Sequence, residues 1–143
     1  MSEIPVEILL VEDHAGDVKL TRTALARLSH STSLHVAVDG FEAMDFLAQR
    51  GKFVDAPRPK LILLDLNMPR KDGRQVLREI EQDQNLRTIP TVILTTSAEA
   101  IDVTEAYRLC ANAYHVKPVT FPDFVDLLDQ ILCYWLGCAR TPP

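Results

Sequence analysis

Five short aliphatic runs alternate with longer amphipathic stretches, and this alternation constrains the fold more than any other feature of the sequence. The runs are VEILLV (6–11), LHVAV (34–38), KLILLD (60–65), TVILTT (91–96) and AYHV (113–116). The stretches that follow them have apolar residues three and four apart, as helices do: DVKLTRTALARL, FEAMDFLAQR, GRQVLREIEQ, EAIDVTEAYRLC and FPDFVDLLDQILCYWL. Because ILLV, LILL and VILT are apolar on consecutive residues, they suit strands covered on both faces. The pattern predicts a doubly wound α/β domain with a parallel sheet between two helix layers.

Turn residues lie between the predicted elements. They precede the second helix, the third helix and the fourth strand: Asp39-Gly40, Pro69 with Asp72-Gly73, and Ile89-Pro90. Pro57 and Pro59 exclude regular structure from the stretch 51–60, so we expect a surface loop before the third strand. A length of 143 residues suits one domain, which we expect to span 1–143 with its core at about 5–136 and a short tail at 137–143.

Charge and hydropathy exclude several classes of protein. The net charge of −5 argues against nucleic acid as a partner. The N-terminal sequence MSEIPVEILLVED lacks a basic region, and Glu7 and Glu12 interrupt its apolar run, so it is not a signal peptide. No stretch approaches the roughly 18 to 20 apolar residues of a membrane span. We therefore expect a cytoplasmic protein that binds neither nucleic acid nor a membrane.

The cysteines and histidines do not have the spacing of a metal site. The three cysteines have no CxxC or CxxxC pattern and are expected to be buried thiols: Cys110, Cys133 and Cys138. The four histidines are expected to be structural or solvated: His14, His30, His35 and His115.

Polar residues end four of the predicted strands. They are Glu12-Asp13, Asp65, Thr95-Thr96-Ser97 and Lys117-Pro118. Since ligands of a parallel α/β sheet gather beyond the carboxyl ends of its strands, we expect these residues at one edge. Two unit charges about 4 Å apart interact by about 4 kcal/mol at an effective dielectric of 20, so three carboxylates there need compensation. A hard cation and Lys117 would supply it, and oxygen ligands alone favour Mg²⁺ or Mn²⁺ over zinc.

Each of these residues also has a plainer interpretation. An aspartate after an apolar strand, such as Asp65, is most often a turn or N-cap residue. A lysine such as Lys117 is usually a solvated surface charge. Asp17 is a plausible N-cap of the first helix, which would leave Glu12 and Asp13 available for another task.

Four separated motifs together resemble the receiver domain of two-component response regulators. These are VED at 11–13, DLNMPRKDG at 65–73, TTS at 95–97 and KP at 117–118. Further segments are similar to the small stand-alone receivers that serve cyanobacterial and bacterial phytochrome kinases: APRPKLILLDLNMP, LRTIPTVILTTS, CANAYHVKPV and the final YWL. The resemblance implies a CheY-like, flavodoxin-like sheet of order 2-1-3-4-5 with five helices. The chain departs from the family at Cys110, where a glycine is more usual.

The resemblance implies a role for each site residue. Asp65 would accept a phosphoryl group from a phosphohistidine. The ligands of Mg²⁺ would be Glu12, Asp13, the Asp65 carboxylate and the backbone carbonyl of Asn67. Lys117 and the Thr95 hydroxyl would contact the phosphoryl oxygens, while the side chains of Asn67 and Ser97 would tune hydrolysis. Gly73 would provide backbone freedom in the loop after Asp65, and the peptide bond before Pro118 would be cis.

The resemblance also implies how the signal leaves the site. Thr95 would move toward the phosphoryl group and Tyr114 would turn inward, which remodels the surface of the fourth helix, fifth strand and last helix. The last helix has a second apolar line beside its core stripe, formed by Leu127, Ile131, Tyr134 and Cys138. We expect this line to form a homodimer surface, the alternative being that it packs beneath the tail.

The sequence therefore predicts a stand-alone phospho-receiver that takes phosphate from a histidine kinase, of phytochrome type, and signals by protein contact. It would catalyse nothing beyond its own phosphorylation and dephosphorylation. A flavin electron carrier is one alternative, although EDHAGD after the first strand is acidic where a flavin phosphate would need hydroxyls and glycines. A magnesium phosphohydrolase would generally have a second acid where Asn67 stands, and a degenerate receiver would lack the intact acid set.

Overall fold

The five predicted strands form one parallel sheet with the order β2-β1-β3-β4-β5. The structure is a computed structural model that describes residues 4–68 and 70–138, with only the backbone of Cys138. The strands are β1 (Val6–Val11), β2 (Thr32–Ala37), β3 (Leu61–Leu64), β4 (Thr91–Thr95) and β5 (Ala113–Val116). The helices are α1 (Ala15–Arg27), α2 (Gly40–Ala48), α3 (Gly73–Gln82), α4 (Ala100–Arg108) and α5 (Phe121–Leu132). The predicted fold class and strand order are confirmed.

Strand β3 lies at the centre of the sheet and is buried on both faces. Its four residues have no exposed surface. Ile62 and Leu64 join the core beneath α2 and α3, whereas Leu61 and Leu63 join the core beneath α1 and α5. Alternating side chains of one strand therefore fill two separate cores, which is why this run is apolar at every position.

Capping side chains begin four of the helices near the carboxyl edge of the sheet, and at α5 the cap is Thr120, which accepts a hydrogen bond from Asp123 N. Asp39 accepts a hydrogen bond from Glu42 N at the start of α2, and Asp72 forms a capping box with Gln75 at the start of α3. The cap of α1 is His14, whose ring accepts a hydrogen bond from Asp17 N. The interpretation of Asp17 as that cap is wrong, because α1 begins at Ala15 and the Asp17 side chain accepts a hydrogen bond from Lys117 instead. A 3₁₀ turn, Gly51–Phe53, lies within the predicted surface loop.

The face assigned to the second apolar line of α5 needs correction. Ile131 is 3% exposed and belongs to the same core as Leu128, and Leu127 packs against that core. Ile131 lies three residues after Leu128 and seven after Phe124, so the three share one helical face. Among the described side chains of this second line, Tyr134 is the exposed one, at 54%, and the side chain of Cys138 lies outside the described residues. Beyond α5 the backbone continues as a π-helical turn, Cys133–Cys138.

The prediction of buried thiols is wrong for the two cysteines whose side chains are described. Cys110 and Cys133 are both exposed. Cys110 has φ +68° and ends α4 in a Schellman motif, in which Ala111 N donates to Ala106 O and Cys110 N to Tyr107 O. This left-handed position favours glycine, which explains why a glycine is more usual here. Among the described helices, none has the length and apolar character needed to cross a bilayer.

Candidate functional site

The strand register brings the predicted polar strand ends to one edge of the sheet. Val11 lies opposite Leu64, and Leu64 lies opposite Ile93. Immediately past the ladders, Asp65 N donates to Val11 O at 3.0 Å and Lys117 N donates to Thr95 O at 2.7 Å. The sheet backbone therefore fixes where the side chains of Glu12, Asp65 and Lys117 begin.

Three carboxyl groups converge at this edge. One oxygen each of Glu12, Asp13 and Asp65 lies within 4.8 Å of the others. Glu12 is 2% exposed and Asp65 is 9% exposed, whereas Asp13 faces solvent. Only a small part of the Asp65 carboxylate is therefore accessible to a phosphodonor.

Lys117 is the cation of this cluster. Its ammonium bonds to Glu12 Oε1, donates to Asp17 Oδ2 at 3.0 Å, and lies 3.7 Å from Asp65 Oδ2. The side chain is 11% exposed. Asp17 is thus a second support for Lys117, a role that sequence reasoning missed because the two residues are 100 positions apart.

Burial and neighbouring charge shift the pKa values of the Glu12–Lys117 pair. The pKa of Glu12 is raised to about 7. Loss of hydration is the largest cause of this rise and the charge of Asp65 adds to it, while the hydrogen bond and the charge of Lys117 offset part of it. Burial alone would lower the pKa of Lys117, but the bond to Glu12 and the charge of Asp65 outweigh it and raise the pKa. The site therefore keeps a charged ammonium beside a carboxyl group that exchanges its proton near neutral pH.

The loop after Asp65 is held tightly against the sheet. Asn67 N donates to Asp65 Oδ1 at 3.2 Å, and Gly73 N donates to Leu66 O at 3.0 Å. A Cβ on Gly73 would overlap Asp65 O and lie 2.7 Å from Leu66 Cα. Gly73 does not have a positive φ, so it is required for space rather than for backbone freedom. The left-handed residue of this loop is Arg70, with φ +65°, and Pro69 lies outside the described residues.

Thr95 has a buried hydroxyl group at the end of β4. The residue has no exposed surface, and its Oγ1 has no hydrogen-bond partner among the described residues. A buried hydroxyl normally has a partner, so this one suits an acceptor brought to the site by a ligand. The Lys117–Pro118 peptide bond is trans, because no cis bond occurs between described residues. The expectation of a cis bond there is wrong.

A polar network connects the site to α3 and α4. Tyr114 Oη donates to Ser97 O at 2.9 Å, and Ser97 Oγ donates to Asp102 Oδ2 at 2.5 Å. Arg74 Nη2 donates to Asp102 Oδ1 at 2.5 Å and Arg74 Nε lies 2.9 Å from Glu105. Tyr114 is half-buried against the core, and this burial raises its pKa. The sequence contains no local signal for the Arg74–Asp102 contact, which joins residues 28 positions apart.

A family model for the response regulator receiver domain matches residues 8–129. The chain belongs to this family. Receiver domains are signalling proteins rather than classical enzymes; they interact with histidine kinases and bind a divalent metal. The flavin carrier and the phosphohydrolase find no support in these similarities.

Phytochrome response regulators are similar to this receiver over its whole length. Response regulator Rcp1 of Synechocystis sp. is 43% identical over 141 residues, which cover 99% of this chain and 96% of that protein. The crystal structure of the phosphorylated cyanobacterial phytochrome response regulator RcpA has a TM-score of 0.92 and 40% identity, covering 98% of this chain and 100% of that one. The Mn²⁺-bound form of Rcp1 has a TM-score of 0.89 and 42% identity, covering 97% and 100%.

The acid cluster of this receiver fits a hard divalent cation. Its donors are oxygen atoms from three carboxylates crowded within 4.8 Å, and the only cation described among them is Lys117. Crowded carboxylates repel one another unless a proton or a cation intervenes. The raised pKa of Glu12 results mainly from burial, and the neighbouring charge of Asp65 adds to it.

Proposed function

We propose that this chain is a stand-alone phospho-receiver, one domain over residues 1–143, which accepts a phosphoryl group on Asp65 from a phytochrome-type histidine kinase. The main support for the proposal is the set of groups around Asp65. Its carboxylate is anchored at the end of a fully buried strand, has Lys117 Nζ 3.7 Å away, and shares its edge with Glu12 and Asp13.

The chemistry that this arrangement supports is an in-line transfer of the phosphoryl group. An Asp65 carboxylate oxygen forms the new bond to phosphorus while the phosphorus–nitrogen bond of the phosphohistidine breaks, and the imidazole leaves. Lys117 reorients its ammonium toward the phosphoryl oxygens, and Thr95 Oγ1 donates its unused hydrogen to one of them. Positioning and charge neutralisation are the main requirements of such a transfer, so few groups suffice.

The proposed cation is Mg²⁺, held by Glu12, Asp13, the Asp65 carboxylate and the backbone carbonyl of Asn67. When bound, it neutralises charge on the carboxylates and the phosphoryl oxygens. Asn67 and Ser97 follow the carboxyl ends of β3 and β4, and their side chains would set the rate at which the acyl phosphate hydrolyses. The chain would catalyse only these two steps on itself.

Signal output would begin at Thr95. A phosphoryl group adds close to two negative charges and strong acceptor oxygens, and the unsatisfied Thr95 hydroxyl would turn toward them. Tyr114 is already half-buried and bonded to Ser97 O, so a movement of the β4 end changes its acceptor directly. Phosphorylation would thereby shift Tyr114 and the surface of α4, β5 and α5.

We place the partner surface on this same α4–β5–α5 region, as a homodimer interface. Large apolar side chains are exposed there on α4, on β5 and after α5: Ile101, Tyr107, Val116 and Tyr134. Kinase contact would occur at the phosphoryl edge, where a cavity of about 270 Å³ lies beside Lys117 between Leu20 and Phe124. The net charge of −5 supports the absence of nucleic-acid and membrane partners, and a cytoplasmic location remains a prediction.

Phosphotransfer from a purified, autophosphorylated phytochrome-type kinase tests the proposal. We expect label to move from the kinase to wild-type protein with Mg²⁺ and not to Asp65→Asn. Asp126→Asn, an exposed α5 aspartate, is the matched control and should accept label as wild type does. Equal transfer to Asp65→Asn would overturn the acceptor assignment, and transfer only from kinases without a phytochrome sensor would overturn the partner class.

Size measurement tests the proposed dimer separately. Sedimentation at high micromolar concentration, with and without phosphorylation, should show a dimer that Tyr134→Glu weakens. A monomer under both conditions would remove the homodimer from the proposal while leaving the phosphoryl acceptor in place.

A further inference from the structure

A second group of metal-ligating side chains lies far from the phosphoryl site. It joins His30, in the connection between α1 and β2, to Asp129 and Cys133 at the end of α5. His30 precedes β2 and therefore lies at the amino edge of the sheet, whereas Asp65 follows β3 at the carboxyl edge. The two clusters therefore share no residue and no strand end.

The three ligand atoms form a nearly equilateral triangle. His30 Nε2 lies 3.0 Å from Asp129 Oδ1 and 3.6 Å from Cys133 Sγ, and Sγ lies 3.7 Å from Oδ1. Zinc bond lengths of about 2.0–2.1 Å to nitrogen and oxygen and about 2.3 Å to sulfur give ligand–ligand distances of about 3.4–3.6 Å in a tetrahedron. The cluster therefore needs only a few tenths of an ångström of adjustment to hold a tetrahedral ion.

The backbone fixes two of these ligands. Cys133 N donates to Asp129 O, so the helical hydrogen-bond pattern continues through Cys133 and places the two side chains four residues apart on one face. His30 reaches this face from the adjoining loop. Its side chain is 23% exposed and that of Asp129 is 50% exposed, which lets an ion enter without displacing the core.

The donor set distinguishes this cluster from the acid cluster. The acid cluster offers oxygen alone, which suits Mg²⁺, whereas this one offers sulfur, nitrogen and oxygen. Thiolate and imidazole ligands select zinc over magnesium. A zinc site with three protein ligands keeps a fourth position for water or another ligand.

We propose that His30, Asp129 and Cys133 form a Zn²⁺ site, in which His30 Nε2, a carboxylate oxygen of Asp129 and the Cys133 thiolate bind the ion and a water completes the tetrahedron. Binding releases the thiol proton to solvent. The ion ties the α1–β2 connection to the end of α5. This proposal does not depend on Asp65 or on phosphorylation.

Cobalt provides a direct spectroscopic test, because Co²⁺ adopts zinc geometries and a cobalt–thiolate bond gives an intense charge-transfer absorption. The titration uses the full chain under reducing conditions with millimolar Mg²⁺, and it is repeated with Asp13→Asn to remove a ligand of the acid cluster. We expect one Co²⁺ per chain with a charge-transfer band in both proteins, and displacement of that Co²⁺ by one equivalent of Zn²⁺.

Variants identify the ligands. Cys133→Ser should lose the charge-transfer band. Even an outer-shell partner contributes about 10- to 100-fold in metal affinity, so His30→Gln and Asp129→Asn should each weaken Zn²⁺ binding by at least about tenfold. Cys110→Ser is the matched thiol control and should bind as wild type does, as should Cys138→Ser. Far-UV circular dichroism and unchanged phosphorylation of Asp65 show that each variant is folded.

Thermal unfolding supplies an independent readout. An ion that binds only the folded protein raises the Tm, so Zn²⁺ should raise it for wild type and Cys110→Ser but not for Cys133→Ser. Absence of the charge-transfer band in wild type, or its retention in Cys133→Ser, would overturn the proposal. Either result would leave the cluster as a hydrogen-bonded histidine–aspartate pair beside a thiol.

Discussion

The two sides of the proposed phosphoryl site differ in how tightly they are packed. On one side, all four residues of β3 have no exposed surface, and α3 buries Gly73, Val76, Leu77 and Ile80. On the other side, β5 has no fully buried residue, and Ala106 alone of α4 is buried. The proposed phosphoryl acceptor, Asp65, directly follows the fully buried strand β3, whereas Tyr114 lies on the loosely packed β5 and Lys117 directly follows it.

This difference suits the proposed function, in which Asp65 stays in place while the surface formed by α4 and β5 changes conformation. Weakly packed elements open or shift at lower free energy than core strands do. Tyr114 is connected to Ser97, and Ser97 to Asp102 of α4, by hydrogen bonds that a small movement of β4 would change. We therefore expect phosphorylation of Asp65 to change the conformation of the loosely packed side, formed by α4 and β5.

The largest expected contrast concerns stability. Leu63→Ala removes a fully buried side chain of β3 and should lower the free energy of unfolding by about 2–5 kcal/mol. Val116→Ala removes a side chain that is 43% exposed on β5, and most surface substitutions change stability by about 0.5 kcal/mol or less. Urea unfolding of the two variants measures the contrast. Equal losses would mean that the two sides are packed alike.

Gly73→Ala tests the tight contact between the start of α3 and the loop after Asp65. A Cβ there meets backbone atoms of Asp65 and Leu66, which cannot move aside as a flexible side chain would, so we expect a loss of about 1–3 kcal/mol. Gly137→Ala, whose Cβ would have nothing within 4 Å, is the control and should not destabilise. Phosphorylation by acetyl phosphate should slow in Gly73→Ala alone, and unchanged rates would argue against a role for this contact.

The raised pKa of Glu12 predicts a pH-dependent affinity for Mg²⁺. Below about pH 7 Glu12 holds a proton that the cation must displace, so affinity should rise by up to about tenfold per pH unit toward pH 7 and then level off. Without a cation, the raised pKa of Glu12 means that the folded protein binds this proton more tightly than the unfolded chain does. The resulting contribution to the free energy of unfolding is complete below about pH 4.5 and is lost as the pH rises through about 7. Isothermal titration at pH 6 and pH 8 measures the affinity. The same pH dependence in Glu12→Gln would contradict the assignment to Glu12.

Cys110→Gly should produce the smallest effect, a gain in stability. A side chain at a left-handed position costs about 1–2 kcal/mol, which glycine avoids, so the α4 end should be stabilised by about 1 kcal/mol. Cys110→Ala retains the Cβ and is the control. If the glycine variant were no more stable than the alanine variant in urea, strain at φ +68° would not explain the departure from the family.

The sheet and the polar residues at its strand ends could be predicted from local sequence patterns. Runs of consecutive apolar residues identify strands that are buried on both faces, and the carboxyl ends of parallel strands meet at one edge of the sheet. Contacts between distant side chains could not be predicted in this way. Asp17 reaches Lys117 across 100 positions, and Arg74 reaches Asp102 across 28. Nothing in the spacing of single residues indicates such pairs.

Two other differences have local causes that the sequence pattern leaves open. Helical spacing shows which residues share a face of α5, but it does not show whether that face packs against the core or faces solvent. The position of Ile131 therefore fits both a surface line and a core stripe. Gly73 fits both a left-handed turn and a close approach of two backbones, and only the position of Leu66 distinguishes them.

Intact mass after incubation with acetyl phosphate and Mg²⁺ tests the central claim most directly. Wild type and the control Asp126→Asn should each gain the mass of one phosphoryl group, and Asp65→Asn should gain none. Equal phosphorylation of wild type and Asp65→Asn, or no phosphorylation of wild type by any phosphodonor, would contradict the assignment of Asp65 as the acceptor.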